Sequence, residues 1–242
     1  AGIAHVDIPK KNSKNYESSK QLYYKVNRDI TIEIAKRAKA AGVKQFIFMS
    51  SIIVYGDSSI VSEKRVITRD TIPNPSSFYG DSKLQAEQGI LPLQSDDFQV
   101  VILRAPMIYG KDSKGNYPKL SKLARTFPVF PDIDNERSML HIDNLCEFIR
   151  LIIEDKAQGI FHPQNKEYVK TTELVRLISS MYGKRLYATK VFNRLIISLS
   201  KRIRLLNKVF GNLVYDKEMC SFQTYDYCIR DMKQTIELTE EK

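Results

Sequence analysis

Glycine is scarce in this chain. Its 242 residues hold ten glycines, and nowhere do these form G-x-G-x-x-G, the turn that lays a pyrophosphate on a helix N-terminus at the start of a dinucleotide-binding sheet. Cysteine is scarcer. Cys146, Cys220 and Cys228 are odd in number and lack metal-ligand spacing, which points to a reduced, cytoplasmic compartment. His5, His141 and His162 lie far apart with no carboxylate or cysteine at ligand spacing, so no metal is expected. No apolar run approaches the length of about 18 residues that a membrane span needs. Residues 1–20 lack the apolar core of a signal peptide. Internal repeats and low-complexity tracts are also missing.

What is present is an ordinary globular composition, 43% hydrophobic and 27% charged. At this length it suits one large domain, or one domain with a smaller lobe, around a substantial core. The net charge of +10 implies acidic partners: phosphates, nucleic acid or anionic lipid. The charge is concentrated. Residues 184–208, KRLYATKVFNRLIISLSKRIRLLNK, carry eight basic side chains and no acidic one, interleaved with apolar residues.

Helical and extended patterns alternate along the chain. NRDITIEIAKRAKAAGV reads as a helix stopped at Gly42, followed by the buried strand KQFIFMSS. The helix-like stretch 81–91 is followed by FQVVILRAP. A helix from about Asn144 stops at Gly159 and leads into another short strand. TTELVRLISSMYGK reads as a capped helix ending at Gly183, and the basic stretch after it as helical. This alternation predicts a parallel α/β sheet flanked by helices.

Three pieces of this pattern carry chemistry. Tyr79 and Lys83 stand one helical turn apart. Ser50 and Ser51 end a predicted strand, where open α/β sheets bind ligands. Asn27 opens the helix before that strand. A tyrosine, with an ordinary pKa of about 10, becomes a base near neutrality if a neighbouring ammonium favours the phenolate. A serine hydroxyl on the same substrate oxygen would steady a developing alkoxide. Proton transfer coupled to hydride transfer at a sugar carbon is the expected reaction.

The segments AGIAHV, VNRD, VKQFIFMSSIIVYG, YGDSKLQAE, VVILRAPMIYG, KGNYPKL and RSMLHIDNLCEFI, in this order from residue 1 to about 150, resemble the extended short-chain dehydrogenase/reductases. Within these the resemblance is to the NAD-dependent epimerase/dehydratase family that modifies nucleotide sugars. It thins beyond Tyr182. The resemblance implies a Rossmann-like doubly wound parallel sheet with a smaller C-terminal α/β substrate lobe. It places the dinucleotide-binding part at 1–110 and 138–163, and the lobe at 111–137 and 164–242.

Residue by residue, it implies that Tyr79 is the catalytic base/acid and Lys83 its electrostatic partner, also holding the nicotinamide ribose. Ser51 is the catalytic serine and meets the substrate; Ser50 and Asn27 neighbour the cofactor. Ala1 and Gly2 line the dinucleotide, Pro106 and Met107 pass the nicotinamide, and Asn116 and Arg137 meet the sugar nucleotide. The planar fork of Arg137 suits a diphosphate.

The family's opening strand, Gly-rich turn and NAD-or-NADP selector have no counterpart here. Two βαβ-type units of about 30 residues each are therefore expected upstream of this sequence, in an intact protein of about 300 residues. Without them the chain is expected to bind NAD or NADP poorly and to be inactive by itself.

The expected function is a nucleotide-sugar epimerase or 4-ketoreductase, an isomerase or oxidoreductase serving surface polysaccharide biosynthesis, acting on a UDP-linked sugar. The serine segment continues SIIVYG, without the Thr-Asp-Glu signature of the family's dehydratases, which disfavours dehydration. The alternative is a non-catalytic dinucleotide-binding regulatory module, against which the retained Tyr/Lys pair argues. A homodimer is a further expected partner. The basic stretch 184–208 reads as a lobe helix whose cationic face meets solvent or substrate, or as a peripheral contact with anionic membrane. Nucleic acid is disfavoured because no recognition module accompanies the charge.

Overall fold

The computed structural model describes residues 2–3, 15–57, 61 and 63–241. In chain order the elements are α1 (Tyr16–Tyr23), a π-helical turn (Tyr24–Ile30), α2 (Thr31–Ala40), β1 (Gln45–Ser51), a 3-10 turn (Ile52–Tyr55), β2 (Val66–Ile67), α3 (Phe78–Ile90), β3 (Gln99–Ala105) and β4 (Met107–Tyr109). There follow α4 (Tyr117–Thr126), β5 (Val129–Pro131), β6 (Met139–His141), α5 (Ile142–Glu154), β7 (Gly159–Phe161), α6 (Thr171–Met181), β8 (Tyr187–Thr189), α7 (Asn193–Ser200), α8 (Arg204–Phe210), β9 (Val214–Tyr215) and α9 (Met232–Glu240). The chain divides into two compact units, 1–57 with 71–106 and 149–162, and 58–70 with 107–148 and 163–242.

The first unit is built on a parallel three-stranded sheet in the order β1-β3-β7. The register pairs Ser50 with Arg104 and Ser51 with Ala105. Along β3 every residue from Val100 to Ala105 is buried, which is why this strand reads as a continuous apolar run rather than an alternation. Burying each such aliphatic side chain contributes roughly 2 kcal/mol. Ala35 of α2, Ala86 and Ile90 of α3, and Phe48, Val100 and Ile102 of the strands form one core cluster. Gly42 ends α2 at φ 79°. Val43 N donates to Ala38 O and Gly42 N to Lys39 O, a C-cap that needs the left-handed conformation glycine adopts freely.

Helix α3 starts at Ser77, whose hydroxyl accepts from Gly80 N at 3.2 Å. Tyr24 of the π turn donates to Asp81 at 2.5 Å, and Arg28 Nη1 donates to Gln85 at 2.8 Å. Gly80 lies against the 3-10 turn, where an added Cβ would stand 2.7 Å from the Ile53 carbonyl oxygen. Backbone cannot rotate away, so Gly80→Ala is expected to push the first turn of α3 outward and cost about 1–3 kcal/mol. A urea melt would measure this, and an unchanged midpoint would mean the contact relaxes freely.

The second unit is a set of short parallel strand pairs, β2-β9, β4-β6 and β5-β8. Its core joins Tyr109, Tyr117, Leu120, Met139, Leu174, Ile178, Phe210 and Ile236. The rings of Tyr109 and Tyr117 stack at 5.2 Å. Cys220 is buried and Cys228 half-buried, both free thiols. Burial pushes them up to about 12 and about 11, so both behave as small apolar residues.

Three local expectations need correction, and one falls largely outside the described residues. Asn27 does not open a helix but sits inside the π-helical turn of a continuous helical stretch, because no glycine or proline interrupts residues 16–40. Thr31 Oγ1 donates to Val26 O at 3.2 Å, five residues back, which matches the wider turn. AGIAHV falls largely outside the described residues. Helix α5 stops at Glu154, short of Gly159. Lys156 itself takes φ 50°, and Ala157 N donates to Ile152 O.

The stretch 184–208, lastly, is not one helix. Tyr187 N donates to Pro128 O and Asp132 N to Thr189 O, so strand pairing overrides the amphipathic pattern at 187–189. Between α7 and α8 the Ser200 carbonyl accepts from Asn207 Nδ2 at 2.9 Å, which satisfies a freed helix end.

Candidate active site

Ser51 ends β1 with an extended backbone and caps the 3-10 turn, its hydroxyl accepting from Ile53 N at 3.4 Å. The Ser51 hydroxyl also faces the Tyr79 phenol, near enough to favour its ionised form. Two residues far apart in sequence thus meet at the carboxyl edge of the sheet. The Tyr23 ring lies 6.0 Å from the Tyr79 ring. Burial pushes the Tyr79 phenol above its ordinary value, the Ser51 hydroxyl pulls it down, and Tyr23 raises it further.

Lys83 is buried one turn along α3. Its ammonium donates to the Met49 carbonyl at 2.8 Å and stands 4.6 Å from the centre of the Phe48 ring. Burial pushes Lys83 down to about 8, with Glu87 opposing. The expectation that this ammonium depresses Tyr79 is therefore corrected for the protein alone. Desolvation dominates the phenol, and the ammonium is engaged by a backbone carbonyl.

A buried polar network lies beside this pair, and the sequence reading did not name it. Glu87, 1% exposed, accepts from Ser50 Oγ and from Arg104 Nη2 at 2.7 Å. Arg104 Nη1 donates to the Tyr55 hydroxyl at 2.7 Å, and that hydroxyl lies 3.0 Å from His162 Nε2. Glu87 continues the helix stripe of Tyr79 and Lys83 at the next turn, a signal available in YGDSKLQAE. Arg104 faces Ser50 across the strands, and this juxtaposition required the register.

Burial and the Arg104 charge push His162 down to about 4. In the unfolded chain it titrates near 6.5, so between these values the unfolded state binds the extra proton. Stability is then complete above pH 6.5 and falls as pH drops toward 4, by roughly 3 kcal/mol. Urea unfolding at pH 7 and pH 4.5 checks this, with His162→Gln expected to remove that part of the loss.

Asn27 is fully buried and clamps the backbone at residue 3. Its Oδ1 accepts from Ile3 N at 2.8 Å, and its Nδ2 donates to Ile3 O at 3.0 Å. Gly2 follows the same path. A Cβ there would come within 3.3 Å of Asn27 Oδ1 and 3.4 Å of Lys83 Nζ. Among the described residues Lys83 spends one of its three N–H groups on protein. The remaining two, beside a side-chain-free backbone, fit the hydroxyls of a cofactor ribose. Ala1 lies outside the described residues. Pro106 is buried directly after β3.

In the second unit, Met107, Asn116 and Arg137 are brought to one cavity of about 450 Å3, walled mainly by apolar side chains. Asn116 precedes α4 without capping it through its side chain. Arg137 Nη1 donates to the Lys208 carbonyl. Among the described residues Arg137 has no carboxylate partner, and burial pushes it down to about 10. His141 is buried at the end of β6, its ring edge-on to Tyr109 at 5.2 Å.

A parallel α/β sheet with a serine, a tyrosine and a lysine gathered at its carboxyl edge defines a class of dehydrogenase-type enzymes. The particular family follows from direct comparison. Residues 3–165 match the NAD dependent epimerase/dehydratase family, well over half of the chain, and the chain belongs to that family. It is 30% identical over 229 residues to a UDP-glucose 4-epimerase of Vibrio cholerae, covering 89% of this chain and 69% of the relative.

An Escherichia coli O157:H7 protein, N-acetyl-alpha-D-glucosaminyl-diphospho-ditrans,octacis-undecaprenol 4-epimerase, is 27% identical over 193 residues, covering 77% of this chain and 57% of the relative. The UDP-glucuronic acid 4-epimerase of Bacillus cereus, solved in complex with NAD, shares the fold with a TM-score of 0.68 at 18% identity, over 91% of this chain and 68% of that one. The Rossmann-like character of the sheet is thereby established.

Proposed function

We propose that the protein inverts or reduces the C4 position of a sugar carried on a diphosphate, using NAD or NADP. The observation that carries this reading is the meeting of Tyr79 with Ser51, one helical turn from buried Lys83, in a chain of this family. Gly2, Ser50, Asn27, Lys83, Pro106 and Met107 are the residues assigned to hold the cofactor, Lys83 through its two spare N–H groups. When bound, the nicotinamide supplies the hydride acceptor and a positive ring.

The chain's own work is proton management. The Tyr79 phenolic oxygen takes the sugar hydroxyl proton as the carbon is oxidised and returns it when the ketone is reduced. Ser51 holds the same sugar oxygen while charge develops on it. A phenol that burial keeps high needs a cation to ionise. Lys83, held by Met49 and backed by Glu87, is placed to act with the cofactor's charge. Asn116 and Arg137 are assigned to the diphosphate side, where an arginine with no acidic partner among the described residues suits an anion.

The relatives differ in what lies beyond the diphosphate, UDP in the Vibrio cholerae protein's name and diphospho-undecaprenol in the Escherichia coli one. UDP is the carrier expected from the sequence. Peripheral contact of 184–208 with anionic membrane is supported by the exposed Phe192, Leu195 and Leu205 among its cations. With the upstream segment expected from the sequence in place, purified protein given NAD and glucose or N-acetylglucosamine on a diphosphate carrier, nucleoside- or lipid-linked, is expected to interconvert the C4 epimers, read by NMR. Tight cofactor binding with no change in any diphosphate sugar, nucleoside- or lipid-linked, would instead indicate a regulatory module.

A further inference from the structure

The cavity of the second unit has the wrong walls for a nucleoside and the right ones for a hydrocarbon chain. Met107, Leu120, Leu123, Met139, Leu174 and Val209 line it. A nucleobase brings several hydrogen-bonding groups, and each left unpaired in such a wall costs about 1–3 kcal/mol. The two hydroxyl side chains of the lining are occupied. Thr171 donates to Val209 O at 2.8 Å and accepts from Asn135 at 3.0 Å, and Thr126 donates to Lys122 O at 2.8 Å. Asn116 and Arg137 keep free capacity, the guanidinium having spent one N–H on the Lys208 carbonyl. Lys119, Lys122 and Lys208 surround the same cavity. It is therefore a hydrocarbon-lined chamber with a cationic collar.

The surface leading to it has the same character. Leu205, which lines the cavity, is 61% exposed on α8. Val191, Phe192, Leu195, Leu199 and Ile203 are exposed just before it. They stand in the segment with eight cations and no anion. Exposed large apolar groups set among unopposed positive charge match the interface of an anionic bilayer, where apolar side chains enter the acyl boundary and lysines meet phosphate.

We infer that the second unit takes an amphiphile presented at a membrane surface, its isoprenoid or acyl chain in this cavity and its phosphate or diphosphate at Arg137 and the lysine collar. The inference rests on the reading that the substrate is a sugar diphosphate, and it names the carrier as a lipid rather than a nucleoside.

The test is calorimetric binding to the full chain of three probes at one ionic strength: farnesyl diphosphate below its micelle concentration, UDP and inorganic diphosphate. Farnesyl diphosphate is expected to bind at least tenfold more tightly than either of the others. Leu205→Gln is expected to remove that advantage while leaving inorganic diphosphate unchanged. Because Leu205 is exposed, the melting temperature should stay put, and Phe127→Gln, at another exposed position of the lining, serves as an independent check. The wild-type chain should also sediment with phosphatidylglycerol vesicles and not with phosphatidylcholine ones. If UDP binds best and the farnesyl chain adds nothing over inorganic diphosphate, the lipid carrier is wrong while the sugar-diphosphate reading stands. If none of the three probes binds, both fail together.

Discussion

Replacing Tyr79 by phenylalanine is expected to lower kcat by about 10²–10⁴-fold, the range that a positioned acid–base group supplies, while cofactor affinity changes little. The substitution removes one oxygen and keeps the ring against Tyr23. The core contact therefore survives, and Ser51 loses a polar neighbour that solvent or substrate can replace. A pH profile sharpens the result. Because burial raises the Tyr79 phenol while Lys83 is pushed down to about 8, activity should depend on a charged Lys83 below that pH and decline above it as the ammonium is lost. Lys83→Met should abolish this limb. If Tyr79→Phe lost cofactor binding and turnover equally, the tyrosine would be a structural residue and the proposed chemistry would fall.

The second large effect is on stability. Glu87→Leu is expected to destabilise the protein by about 3–5 kcal/mol, since it strands the Arg104 guanidinium in the core without its counter-charge. Against a typical total of 5–15 kcal/mol, that is enough to leave a sizeable unfolded fraction at 37 °C. Ser50 loses its acceptor at the same time. The double variant Glu87→Leu with Arg104→Met should recover much of the loss, because a buried pair replaced by apolar groups is often neutral. Denaturant melts of the two single variants and the double close the cycle. Strict additivity would mean that the two groups do not sustain one another. Glu87 also opposes the fall of Lys83, so Glu87→Gln should move the alkaline limb of the activity profile to lower pH.

Much of this architecture could be read directly from the residues. The continuous apolar run in FQVVILRAP announced a strand buried on both faces, and Gly42 and Gly183 marked helix ends that both take positive φ. The Tyr79–Lys83 pair was legible because an i, i+4 relation is a property of the helix alone. Other features were not. Nothing local distinguishes 187–189 from the helical pattern around it. The residues become a strand because β5 offers a backbone ladder. The π turn around Asn27 has no glycine or proline to announce it, and Lys156 ends α5 where Gly159 looked the better stop.

The sequence alone determined the alternation of helices with the three strands of the parallel sheet, the one-turn spacing of the phenol and the ammonium, and the excess of positive charge in 184–208. These depend on neighbours within a few residues and on composition. Tertiary structure decided what each group feels. It put Arg104 opposite Ser50 and under Glu87, turned the Lys83 ammonium to Met49, and lined the cavity around Arg137 with hydrocarbon. Solvation and counter-charge are set by groups distant along the chain. The direction of every titration described above, and the kind of ligand the second unit can accept, therefore emerge only once the chain is folded.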